Sequence, residues 1–142
     1  MESIWPSVMR LSKSSAEAIR ILSRCYQKLL LGDLEGSRMS ATDLTAFESD
    51  VDNDVHELKD RIARSDIFAS IKHEVLEIVR LLEESVDGAM EAARIMTLRK
   101  LEPSEIELVK GRGDDPGLDR IFSLLVQMTG EVTSTLELVQ KN

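Results

Sequence analysis

A chain of 142 residues with 42% hydrophobic and 31% charged side chains reads as one globular domain, long enough to bury a core without staples. Aromatic residues make up only 4%, with three prolines and seven glycines, which excludes a sandwich or barrel rich in aromatics and turns and points to an all-α bundle. A net charge of −8 sets the chain against nucleic-acid backbones and anionic membranes, and suits cations or basic surfaces on other proteins.

The expected first helix starts near Pro6, a favourable first helical residue. Val8, Leu11, Ser15, Ala18, Leu22, Cys25 and Leu29 alternate steps of three and four. Ile19, Ile21, Tyr26, Leu30 and Leu31 widen that stripe, so burial should deepen toward the helix end. Gly32 is a natural stop, and Asp33 a cap for the second helix. That helix should begin weakly, because Gly36, Ser37, Ser40 and Thr42 are poor interior residues. It then presents Leu44, Phe47, Val51, Val55, Leu58 and Ile62 on one face, and ends around Ala63 and Arg64.

Ser65, Asp66 and Ser70 are the expected caps of a third helix. Its apolar positions are Ile71, Val75, Ile78, Leu82, Val86, Ala89, Ala93 and Met96, and Pro103 stops it. Ser104-Glu105-Ile106-Glu107 reads as a capping box opening a short helical turn. The run Gly111-Arg112-Gly113-Asp114-Asp115-Pro116-Gly117 is the one strong loop signal. Asp115 and Pro116 would then start a fourth helix, with Ile121, Leu124, Leu125, Met128, Val132, Leu136 and Val139 as its buried stripe. Gly130 in its middle costs about 1 kcal/mol relative to Ala. The expected organisation is thus one domain over 1–142: an up-down antiparallel three-helix core at about 6–102, a loop at 111–117 and a fourth helix at about 116–140.

The single cysteine, Cys25, forms no disulfide within the chain, and a reducing compartment fits. Met1-Glu2-Ser3-Ile4-Trp5-Pro6 lacks the basic start and apolar core of a signal peptide. No run approaches 18 apolar residues, so no membrane span is expected and a soluble, cytoplasmic protein is.

Two acidic pairs share one spacing. Glu48 and Asp52 stand four apart on the second helix, and Glu83 and Asp87 four apart on the third. Carboxylates at that spacing stack on one helix face and repel by about 0.2–0.5 kcal/mol per pair. Surface helices usually cancel them with Lys or Arg one turn away. Glu48, Asp52 and Asp87 have no such neighbour, and Glu83 has only Arg80. In an antiparallel hairpin, facing residues share a midpoint. The midpoint of 48 and 87 equals that of 52 and 83, and falls inside the expected turn from Ser65 to Ser70. Glu48, Asp52, Glu83 and Asp87 should therefore meet at one level. Such an oxygen-rich set suits Mg²⁺, Ca²⁺, Mn²⁺ or iron. The plainer reading is a solvated acidic face.

The segment from about Ala16 to Ala93 resembles the PhoU-like domain of phosphate-transport regulators and of the related proteins encoded beside low-affinity phosphate transporters. The resemblance lies in Leu29 to Asp33, in the Phe-Glu-x-x-Val-Asp-x-x-Val-x-x-Leu run from Phe47 to Leu58, and in Leu-Glu-Glu-x-Val-Asp-x-Ala from Leu82 to Ala89, followed by Ala92-Ala93. It implies a prokaryotic three-helix bundle whose Glu/Asp-x-x-x-Asp pairs hold metal such as iron or zinc. That maps the metal site onto Glu48, Asp52, Glu83 and Asp87. It also implies a regulatory protein, not an enzyme, that docks on a membrane transporter or sensor kinase. Family members often carry two bundles in tandem, whereas these 142 residues supply one repeat and a fourth helix. The fourth helix has no second acidic pair, since Glu131 is followed four residues later by Thr135. A single-repeat protein that dimerises and a fragment of a longer protein both fit.

His56 lies four residues after Asp52 and shares its face, as an extra ligand or simply an exposed side chain; His73 is expected to be exposed. Two histidines supply neither a zinc-protease helix nor a three-histidine site, and neither closes a Glu-x-x-His di-iron motif. Cys25 falls on an apolar stripe, as a structural thiol does. Arg94, Arg99, Lys100, Lys110 and Arg112 gather base near the end of the third helix, as helix-end charge or as a contact for an acidic surface. Three functions remain: a metal-bound PhoU-like regulator, a metal-free helical adaptor or oligomerisation bundle, and a metal-dependent hydrolase. For the hydrolase no base, nucleophile or pocket can be named.

Overall fold

A computed structural model describes residues 3–141 as five helices and no strand. They are α1 (Trp5–Leu30), α2 (Leu34–Arg64), α3 (Ala69–Met96), α4 (Pro103–Lys110) and α5 (Gly117–Lys141). The expected all-α bundle is the observed one, with the expected fourth helix as α5 and the short turn before it as a helix of its own.

α1 is the hub. It packs against α2, α3 and α5, while α2 and α3 close the hairpin on its other side and α4 rests on α5. The distribution of apolar residues accounts for this. Val8, Leu11, Ala18, Leu22, Cys25 and Leu29 are all buried, and so are Met9, Ile19, Ile21 and Tyr26 around them, so α1 is apolar on several sides. α2 and α3 each carry a single stripe. Leu44, Val51, Val55, Leu58 and Ile62 come from one, and Val75, Val79, Leu82, Val86, Ala89 and Ala93 from the other. Each fully buried aliphatic side chain among them contributes about 1.5–3 kcal/mol.

The ends of the helices differ from expectation in instructive ways. Leu31 is 83% exposed, because it is the C-cap residue of α1 and Gly32, at φ 78°, turns the chain away directly after it. α2 does not begin weakly. Asp33 accepts the Gly36 N–H at 2.8 Å as its N-cap, and its carboxylate occupies the space a Cβ on Gly36 would need. Ser37 is fully buried, donating to the Cys25 carbonyl at 2.8 Å. None of Ser65, Asp66 and Ser70 caps α3, whose N-cap Phe68 makes no side-chain cap bond; Ser65 instead donates to the Ile62 carbonyl at 2.6 Å and closes α2. α3 ends at Met96, well before Pro103, where Arg38 of α2 takes the Thr97 and Leu98 carbonyls at 3.0 and 3.3 Å. α4 starts at Pro103, one residue before Ser104, and Glu105 accepts the Glu102 N–H at 3.1 Å. α5 starts at Gly117, one residue past Pro116, with Asp115 accepting the Gly117 N–H at 3.0 Å.

The largest departure concerns α5. Of its expected buried stripe only Leu136 is buried, joined by Phe122, while Ile121, Met128, Val132 and Val139 are 45–58% exposed. The physical reason is that α5 packs mainly against α1 and α4, and its apolar residues cover more of its circumference than those two helices cover. Phe122 stacks on Tyr26 with ring centroids 4.3 Å apart and planes at 16°. The Tyr26 hydroxyl donates to Asp119 and reaches the Val109 carbonyl at 3.5 Å. Ser12 and Thr133 join α1 to α5 through a 2.7 Å hydroxyl contact. No helix among the described residues is long and apolar enough to cross a membrane.

Candidate metal centre

α2 and α3 run antiparallel, which brings the midpoint partners Glu48 and Asp87 together. One carboxylate oxygen from each of Glu48, Asp52 and Asp87 lies within 4.8 Å of the others. Two oxygens bound to one cation at about 2.3–2.6 Å stand at most about 5 Å apart. The three donors therefore span a distance that a single hard cation bridges. Glu48 and Asp87 are half-buried and Asp52 is exposed.

The electrostatics reflect that grouping. Burial pushes the Glu48 carboxyl above its ordinary value, a hydrogen bond with Asp87 adds to this, and the charges of Asp52 and Asp87 push the same way. Arg94 pulls it back down. A cation seated among the three carboxylates would offset that mutual repulsion.

Glu83 takes another course. Its carboxylate accepts from Lys59 Nζ at 2.9 Å, an ion pair across α2 and α3, and it is not one of the three clustered carboxylates. Arg80, its neighbour in sequence, binds Glu77 and Glu84 instead. Asp52 and Glu83 nevertheless line one recess of about 340 Å³, together with Asn53, Val55, His56 and Lys59. Of the four carboxylates singled out by spacing, three converge and the fourth faces a lysine at the neighbouring level.

Two bases near the cluster escape a reading that weighs only positions one turn away. Lys59 follows Asp52 by seven residues, and Arg94 follows Asp87 by seven. Two turns along a helix return to nearly the same face, so the seven-residue step is the signal that finds them.

His56 is exposed at the recess and outside the carboxylate trio, and His73 is exposed on α3. Cys25 is fully buried against Ser37, and burial pushes its thiol up. It is a structural thiol, in keeping with its place on the stripe. Two of the five basic residues near the end of α3 are held in ion pairs: Arg99 with Glu105 at 2.6 Å and Arg112 with Glu107 at 3.0 Å. An all-carboxylate donor set favours Mg²⁺, Mn²⁺, Ca²⁺ or iron over zinc, which prefers imidazole and thiolate. Compared with protein-family models, with curated proteins and with solved structures, the chain matches none.

Proposed function

We propose that this chain is a cytoplasmic regulatory bundle of the PhoU-like kind. It binds a metal ion through Glu48, Asp52 and Asp87 and docks on a membrane transporter or a sensor protein. The observation that carries the proposal is the meeting of the two Glu-x-x-x-Asp segments across α2 and α3, with three donor oxygens within 4.8 Å of one another. Its role is to bind, not to catalyse. The carboxylates supply charge for an ion, the one thiol is buried, and partner contact supplies the regulation.

A second reading has its own support. The wide apolar exposure of α5 suits a helical adaptor that uses no metal, whose acidic pairs are solvated surface.

Metal content of the purified protein, measured by mass spectrometry beside Glu48→Ala/Asp52→Ala, separates the two. The regulator reading expects a stoichiometric ion, iron, manganese, magnesium or zinc, that the double variant loses. An equal metal content in both proteins, or no metal and no thermal stabilisation on adding any, would leave the adaptor.

A further inference from the structure

Between α3 and α5 runs an open groove of about 640 Å³ whose floor is α1. Ile19 lies on the floor, Ile78 and Leu81 form one wall, and Leu125, Met128 and Val132 form the other. The hydroxyls of the floor are already satisfied by pairing: Ser12 with Thr133 at 2.7 Å, Ser15 with Ser85 at 3.1 Å. They ask nothing of a ligand, and what the groove offers is apolar surface.

That surface has a helical period. Along α5, Ile121, Leu125, Met128, Val132, Thr135 and Val139 are spaced by steps of four and three, as in a coiled-coil seam. Four of them, Ile121, Met128, Val132 and Val139, are 45–58% exposed, and Leu81 across the groove is 53% exposed. A seam from Ile121 to Val139 is about 27 Å long at the helical rise, which matches a partner helix of about five turns. A helix laid there would touch α1, α3 and α5 at once and complete a four-helix arrangement.

The rim tells what kind of helix. Glu77 and Glu84 stand one turn to either side of Leu81, Glu74 one turn before Ile78, and Glu131 lines the α5 wall. Arg80 is the one base among the α3 residues of that rim, and it is shared between Glu77 and Glu84. The rim is therefore net negative on a chain of charge −8. An anionic lipid surface is repelled by it, and a second copy would bring the same negative rim with it. A partner helix with Lys or Arg flanking its apolar seam is attracted.

We propose that the α3–α5 groove is the docking site for a basic amphipathic helix of another protein. This rests on the docking half of the function proposed above and makes no use of the metal half.

The test is fluorescence anisotropy with the full chain in EDTA, so that the result does not depend on the cation. The probe is a labelled synthetic 18-residue helical peptide with Leu on its seam and Lys elsewhere; its counterpart carries Glu in place of Lys. The Lys peptide should bind at least tenfold more tightly than the Glu peptide. Leu81→Asn/Met128→Asn, at exposed positions that leave helical circular dichroism unchanged, should weaken it at least tenfold. Glu84→Gln/Glu131→Gln should weaken it less and flatten its salt dependence. Equal binding of the two peptides, or undiminished binding by the Asn variant, would overturn the proposal. So would a concentration-dependent dimer in sedimentation that the Asn variant abolishes, because the groove would then belong to a second copy. Binding of the Lys peptide in EDTA leaves the metal reading to the metal-content measurement, so the two proposals fail separately.

Discussion

Glu48 shows what an unneutralised carboxylate cluster does to a fold. Its protonated form suits the structure better than its ionised form. The stability this supplies is full below the ordinary value of 4.5, and is lost as pH rises through the raised value. At neutral pH without metal, Glu48, Asp52 and Asp87 repel one another. Glu48→Gln is therefore expected to stabilise the metal-free protein at pH 7, by about 0.5 kcal/mol and a Tm rise of roughly 1–2 °C. The gain should shrink toward pH 4, where the wild-type carboxyl holds its own proton. Thermal melts in EDTA at the two pH values check this, and a lower Tm for the variant at pH 7 would contradict it. Much of this site is legible in the sequence. The four-residue spacing and the shared midpoint bring Glu48, Asp52 and Asp87 together correctly. What spacing does not reveal is the reach of long side chains across the hairpin. Lys59 takes Glu83 through a contact between helices that no single-helix count contains.

At the scale of the helix, the three long core helices are legible because each has an unbroken apolar stripe. Most expected positions from Val8 to Leu29, Leu44 to Ile62 and Val75 to Ala93 are buried, while Ile71 is exposed, Phe47 and Ile78 are half-buried and Val79 takes a buried place outside the expected stripe. The capping signals are less faithful. Ser and Asp residues mark a helix start only when the local backbone aims them at free N–H groups, and around α3 Ser65 is turned back to α2. Asp33 is aimed correctly, and it reverses the expectation of a frayed α2 start. Asp33→Ala should cost about 1 kcal/mol, seen as a lower denaturant midpoint with an unchanged slope. α5 departs from expectation for another reason. Periodicity shows that a helix has apolar faces, and how many of them find a neighbour is a property of the assembled chain. The stripe of α5 is real, and much of it faces the groove.

For the molecule as a whole, contacts are unevenly shared. α1, α2 and α3 bury one another, whereas α5 is attached through α1 and the small α4. Local opening should track that pattern, with α5 exchanging its amide hydrogens before the core helices do. Tyr26 anchors it, through the stack on Phe122 and the bond to Asp119. Burial, the hydrogen bond to Asp119 and that carboxylate's charge all push the Tyr26 phenol up, so it remains a donor throughout the working pH range. Tyr26→Phe keeps the stack and leaves Asp119 unanswered. It should speed hydrogen exchange in α5 about tenfold, as expected for one lost bond to a charged group, while α2 and α3 exchange as before. Equal acceleration throughout would mean that α5 opens only with the core.

The seat of Cys25 has a practical corollary. The chain's one thiol lies at the α1–α2 contact, fully buried, held by Ser37 and pushed toward its unreactive protonated form. A thiol reagent can reach it only when those two helices part. The native protein thus carries a single internal clock for that separation. Its labelling rate counts how often the hub of the bundle comes undone, with no residue changed.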